Sequence, residues 1–557
     1  MLDTLDIDPA EIADPVLRGV VQHLLNVIED LHAEVERLRA ENQRLRDENA
    51  RLKGGSGRPT PKPSVSRPLA ADYSSERERH VPRRHHKTSK LATLTIDRVV
   101  DLAVSADQLP ADAVFKGYQA VVVQDVRVQV ETICFRKATW YSPTTRQTYR
   151  AALPPGYRGQ FGPGVRTLAM SLHHGGQMSQ ASVLAFLRDL GVQVSAGWLA
   201  TEVSVGQERF HIEAAAVAAA GLVSSPWQYL DETGTRLDGE NQSCHILGND
   251  LFTAFMTTPH KDRQAVIDVL WPGVPRGYRY DATAVALLAA AKLAGRTRQA
   301  LTHLPRDTVL DDPTLTAWLD DHLPQVGTQG RKVIRDALRA AAYRARADGP
   351  VVQLLLTDDA GQFGGVTAAH ALCWVHMGRH FKQLTPALPH HRRVVARFLR
   401  RFWAYYRQLV AYRHAPRRAA ATRLDRRFDR LFATVTGYAQ LDARIAQTRA
   451  RKTELLQVLA HPELPLHTNG AELGARRRVR KRDVSFGPRS EAGLRAWDTF
   501  QTLAATAAKL GVSFYAYLRD RITETNALPA LADLITERAS VLKLGASWDT
   551  TPLALNY

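Results

Sequence analysis

A chain of 557 residues with 45% apolar content has length for three or four domains and an ordinary core, while its formal charge of +18 selects an extended anionic partner, nucleic acid before an acidic membrane surface. Three widely spaced cysteines, Cys134, Cys244 and Cys373, exclude a disulfide framework and a CxxC zinc ribbon and suit a reducing compartment. An uninterrupted apolar run of about 18 residues is lacking and the first residues are acidic, so neither a membrane span nor a signal peptide is expected.

In chain order, the first predicted element is a heptad over residues 21–52. Val21, Ile28, Val35, Asn42 and Asn49 occupy the a positions, and Leu24, Leu31, Leu38, Leu45 and Leu52 the d positions. β-Branched a residues with leucine at d favour a parallel two-stranded coil, and Asn42 and Asn49 fix its register. The expected product is a homodimer through a zipper over residues 1–53, against the alternative of an amphipathic helix packed on its own domain.

Residues 54–98 read as a basic flexible linker: Gly/Pro/Ser-rich at first, then a cationic cluster at 77–90 that is either solvated or in contact with phosphate. Residues 99–160 alternate and are β-branched, which predicts a small β-rich domain with Cys134 as a core thiol. Residues 161–222 read as helices. Ser179 and Ser195 are the expected N-caps of two short helices around a turn containing Gly191, the spacing of a helix-turn-helix that either reads DNA or simply packs.

A meander of strands is expected from Trp227, with Asp231 on its first strand and a turn at Asp238-Gly239. A second, wholly apolar strand precedes Asp358 and Asp359, placing carboxylates where open α/β sheets build their sites. The third acid, Glu472, stands in HTNGAELGARRRVRKR, just before Arg476, Arg477, Arg478, Arg480, Lys481 and Arg482. It is either a metal ligand at a polyanion site or an ion-pair partner, as Asp231 is either a ligand or a turn acid. Breaking and making phosphodiester bonds calls for two divalent cations, and Mg²⁺ takes oxygen ligands from a few carboxylates. Cys373 and His376 have C-x-x-H spacing, but with no other cysteine near they read as core and helix packing. The periodic aromatics and arginines of residues 398–418 suit either a core helix with a solvated face or a DNA channel wall.

Three blocks, DETGTRLDG, DDAGQF followed by HALCWVHMGRHFKQL, and NGAELGARRRVRKRDVSFGPRSEAGLRAW, resemble the DDE transposases of the insertion-sequence sixty-six family over residues 226–518. The resemblance implies a multidomain α+β protein: an N-terminal parallel coiled coil, a small β-rich domain, a helix-turn-helix segment, and an RNase H-like α/β catalytic domain over 223–525. Helical insertions are expected near 282–348 and 378–460, and a tail at 526–557. It implies Asp231, Asp358 and Glu472 as the catalytic acids holding two Mg²⁺ or Mn²⁺, with zinc not expected because the family's cysteine-rich segment is lost. Asp359, and after it Asp281, stand as rivals for the second acid, the separation of 127 positions between Asp231 and Asp358 being long. Arg476, Arg477, Arg478, Arg480, Lys481, Arg482 and Arg489 would grip phosphates. The implied activity is nicking of double-stranded DNA and strand transfer, in a cytoplasmic, nucleoid-associated protein with small accessory partners. A non-catalytic DNA-binding regulator and a nuclease without strand transfer are the alternatives.

Overall fold

The computed structural model describes residues 5–52, 94–105, 108–110, 112–126 and 128–549; the basic cluster at 77–90, most of the linker and the last residues of the chain lie outside them. The protein is multidomain and mixed α/β, with helices predominating.

The heptad segment folds as one helix, Pro15–Leu52, of 38 residues, about 57 Å long at 1.5 Å per residue. Glu34–Arg37 and Glu36–Arg39 pairs one turn apart support it. One face docks on the helices that follow residue 386. Buried Glu29 accepts the backbone N–H groups of Ala387 and Leu388 at 2.9 and 2.8 Å and pairs with His391. Asn26 bonds to Gly437 O and Ala439 N. Leu24, Leu31, Leu38, Leu45 and Leu52 line the solvent side.

The expected β-rich domain is reduced to one hairpin, β1 (Thr139–Ser142) and β2 (Gln147–Arg150), in antiparallel register. The described residues between 94 and 138 contain no strand, and Val121, Val123, Val126 and Val128 are exposed. Cys134 is exposed as well, not a core thiol. Alternation creates an apolar face but not a partner for it, and isolated strands are unstable without a third strand or a covering helix.

Helices Gln180–Asp189 and Ala196–Glu202 are capped as expected, Ser179 Oγ accepting from Ser182 N and Ser195 Oγ from Trp198 N. Val183, Leu187 and Leu199 seal them into the main core, which continues into helix Glu208–Val223.

A five-stranded sheet follows. β3 (Trp227–Leu237), β4 (Glu240–Gly248) and β5 (Thr253–Thr258) form an antiparallel meander. The β3–β4 turn is Asp238-Gly239, both at positive φ, as a two-residue hairpin with the strand's twist requires. β6 (Gly277–Arg279) and β7 (Val309–Asp311) pair apart from this sheet. β8 (Leu354–Thr357) joins β3 in parallel and β9 (Ala369–Leu372) joins β8 in parallel, giving the order β5-β4-β3-β8-β9. The edge strand β5 is closed by helix Glu491–Lys509: Asp498, Thr502 and Thr506, at successive turns, accept the N–H groups of Thr257, Phe255 and Thr253.

Two helical blocks interrupt the sheet, each with its own core. One, around β6 and β7, buries Tyr278, Leu288, Leu319 and Leu338. The other begins at helix Trp374–Lys382 and includes helix Pro389–His414, whose Phe398, Phe402, Tyr405 and Tyr406 are core while Arg397, Arg400, Arg401 and Arg407 face out. The expected tail contains a packed helix, Leu531–Leu542, with Leu531 and Ile535 in the main core.

Candidate active site

Strand order brings two acids together. β3 and β8 pair Tyr229 with Leu356, and two residues further along each chain lie Asp231 and Asp358. Residues in parallel register share a face, so continuing it by two sets both carboxylates on one side of the sheet where β8 ends. β3 runs on to Leu237, so Asp231 marks the end of the parallel pairing and not the end of its strand. Asp358 Oδ1 accepts Ala360 N at 3.0 Å, turning the chain out of the sheet.

Helix Asn469–Ser485 delivers the third. Thr468 occupies its N-cap position without a side-chain bond, and its carbonyl accepts Glu472 N at 2.9 Å. Gly470 and Gly474, one turn apart, let the helix lie against the sheet. A Cβ at Gly470 would stand 2.6 Å from Tyr229 Oη, and one at Gly474 2.7 Å from Ile246 Cγ2. The Glu472 side chain is 15% exposed; Arg379 Nη2 is 2.5 Å from Oε1 and Arg476 Nη2 3.9 Å from Oε2.

The electrostatics place the three acids in one neighbourhood. Burial pushes the Asp231 carboxyl up to about 6; the Glu232 N–H opposes this, and the charges of Asp358 and Glu472 add to it. Three carboxylates from three elements are hard oxygen donors of the kind Mg²⁺ and Mn²⁺ take, and a dication would offset the charge that Asp358 and Glu472 set beside Asp231. The residues fit such ions.

Glu232 is a fourth acid here, which sequence reasoning missed although it adjoins Asp231 in DETG. Burial pushes its carboxyl up to about 7. Gln362 donates to Oε1, and His245 Nδ1 is 3.6 Å from Oε2.

The rivals for the second acid have other partners. Asp281 caps helix Ala282–Ala290, accepting Ala284 N at 3.0 Å, and pairs with Arg279. Asp359 meets His380 Nε2 at 3.2 Å. Cys373 is buried in the second core, while His376 turns with His380 toward Asp359. Arg379, His376 and His380 were legible only as helix residues, because helix periodicity does not say which loop a face meets.

The arginine run divides. Arg478 is fully buried, 2.8 Å from Asp498 and bonded to Gln501 and Thr257. Lys481 is buried too, donating to the carbonyls of His173 and Met178 at 2.9 and 2.8 Å. The expectation that these two grip phosphate is corrected: the helix has one face on the sheet and helix Glu491–Lys509, and an unbroken run of cations must place some of them on it. Arg477 is half-buried on Gly175 O, and Arg482 half-buried on Gly234 O. Arg476, Arg480 and Arg489 are exposed.

The sequence model of the Transposase IS66 family matches residues 338–496, which hold Asp358, Asp359, Glu472 and the arginine run. An uncharacterized protein of Sinorhizobium fredii, y4jO, is 35% identical over 326 residues, 58% of this chain and 99% of the relative. The chain belongs to the IS66 transposase family. Asp231 lies outside the residues matched by the family model, so its assignment to the site rests on the sheet register and on the field it shares with Asp358 and Glu472. No solved structure matches the chain. None of the described helices is long and apolar enough to cross a membrane.

Proposed function

We propose that the chain is the DNA transposase of a bacterial insertion sequence, with Asp231, Asp358 and Glu472 as the ligands of two divalent cations, Mg²⁺ or Mn²⁺. The observation that carries this reading is the common neighbourhood of the three acids, two from adjacent parallel strands and one from a helix laid on the sheet. The order of three antiparallel strands extended by two parallel ones supports an RNase H-like catalytic fold. Bound there, the cations would supply an activated oxygen nucleophile and charge stabilisation on the leaving oxygen.

The chain's own residues supply position and charge. Arg476, Arg480 and Arg489 offer exposed guanidinium groups to phosphates of a bound strand, with Arg482 at the edge. Arg379 holds the Glu472 carboxylate. The Pro15–Leu52 seam would pair two copies, and the capped helices at 180–202 and the basic linker would help find the element's ends, with small accessory proteins as further partners. Alanine at Asp231 or Glu472 is expected to abolish Mn²⁺-dependent nicking of DNA carrying those ends while sparing binding, since phosphate contacts supply most affinity; full nicking by Glu472→Ala would overturn the reading.

The Arg379–Glu472 ion pair favours one second reading, a DNA-binding regulator without catalysis. That protein would bind DNA and show no divalent-dependent nicking.

A further inference from the structure

We propose that Asp359, His376 and His380 form a separate metal site, for a transition-metal dication of the zinc class, set beside the carboxylate site. One ligand atom from each of the three lies within 4.8 Å of the other two. His376 and His380 are one turn apart on helix Trp374–Lys382, their ring centroids 5.2 Å apart, and His380 Nε2 already meets Asp359 Oδ1 at 3.2 Å. Two histidines at i and i+4 present nitrogens on one helix face. Metal–ligand bonds of about 2.0–2.1 Å in a tetrahedral site separate ligands by about 3.3 Å, which small side-chain rotations reach from the present arrangement.

The backbone explains why two adjacent aspartates serve two places. Asp358 continues the register of β8 toward Asp231, and the next side chain leaves on the other side, toward helix Trp374–Lys382. The donor sets then differ in kind. Three carboxylates suit a hard ion, whereas two imidazoles and one carboxylate suit zinc, cobalt, nickel or manganese. With three protein ligands a coordination position stays open, for water or a phosphate oxygen. All three side chains are half-buried, so an ion has access. Cys373 is sealed in the core below and contributes nothing.

The site stands on its own geometry and does not depend on the transposase reading. Co²⁺ added to the full chain reports it through visible d–d absorption. The expected result is one tightly held equivalent, displaced by Zn²⁺ but not by millimolar Mg²⁺, lost in His376→Ala and His380→Ala and kept in Asp231→Ala. If a histidine variant fails to fold, Asp359→Asn carries the same reading. No absorption in the wild type, or absorption unchanged in the folded variants, would overturn the proposal; the second result would mean adventitious binding at other histidines.

Discussion

Asp231 on β3 and Asp358 just past the end of β8 each stand two residues beyond the Tyr229–Leu356 pair of those two parallel strands. Asp359, one residue later, instead meets His380. The two aspartates are therefore expected to separate on mutation. Asp358→Ala should reduce nicking roughly a hundredfold or more, because a bound metal contributes several kcal/mol of transition-state stabilisation. Asp359→Ala should stay within about tenfold of wild type on the same scale. Single-turnover nicking rates of the two variants check this, and a reversed order would make Asp359 the ligand.

The arginine run should split by burial. Arg478→Ala leaves Asp498 buried without its partner, at a cost of about 3–5 kcal/mol in a denaturant titration. Arg480→Ala should change stability by less than about 0.5 kcal/mol and lower the slope of log affinity against log salt by about 1. Equal stability losses in both would contradict the division.

His245 gives the fold an acid limit. Burial pushes its imidazole down to about 4, from an ordinary 6.5. Above pH 6.5 it is neutral in both states and contributes no pH dependence. From 6.5 down to about 4 the unfolded chain takes up the proton and the folded one does not, so stability falls as pH falls, by about 1.4 kcal/mol per unit. Between pH 6.5 and 5 the loss from this group is about 2 kcal/mol. His245→Gln should lose that much less than wild type over the same interval; parallel losses would show that His245 is not the source.

The leucine seam and the docked face of helix Pro15–Leu52 are distinct. Sedimentation should find a dimer that Leu31→Lys combined with Leu38→Lys converts to monomers, while the fold survives because Glu29 and Asn26 still hold the helix to its own chain. A double variant that remains dimeric would place the interface elsewhere.

Much of this was legible in the sequence because the relevant signals are local. Serine caps at 179 and 195, the Asp238-Gly239 turn and the apolar strand before Asp358 need only neighbouring residues to act. What was not legible depends on a distant partner. The alternating stretch before residue 138 found nothing to cover it, and Arg478 is buried because Asp498, twenty positions later, receives it. Gly470 and Gly474 are the intermediate case: small residues one turn apart suggest a close approach, but only the sheet beneath says to what.

Two cations held together by Asp231, Asp358 and Glu472, as proposed, would have a magnetic signature. Electron paramagnetic resonance of the Mn²⁺-loaded protein bound to element-end DNA tests it most directly, since ions about 3.5–4 Å apart are magnetically coupled. The expected result is a coupled pair that disappears in Asp358→Ala and persists in His376→Ala. No coupled pair in the wild type, or a coupled pair that survives Asp358→Ala, would contradict it.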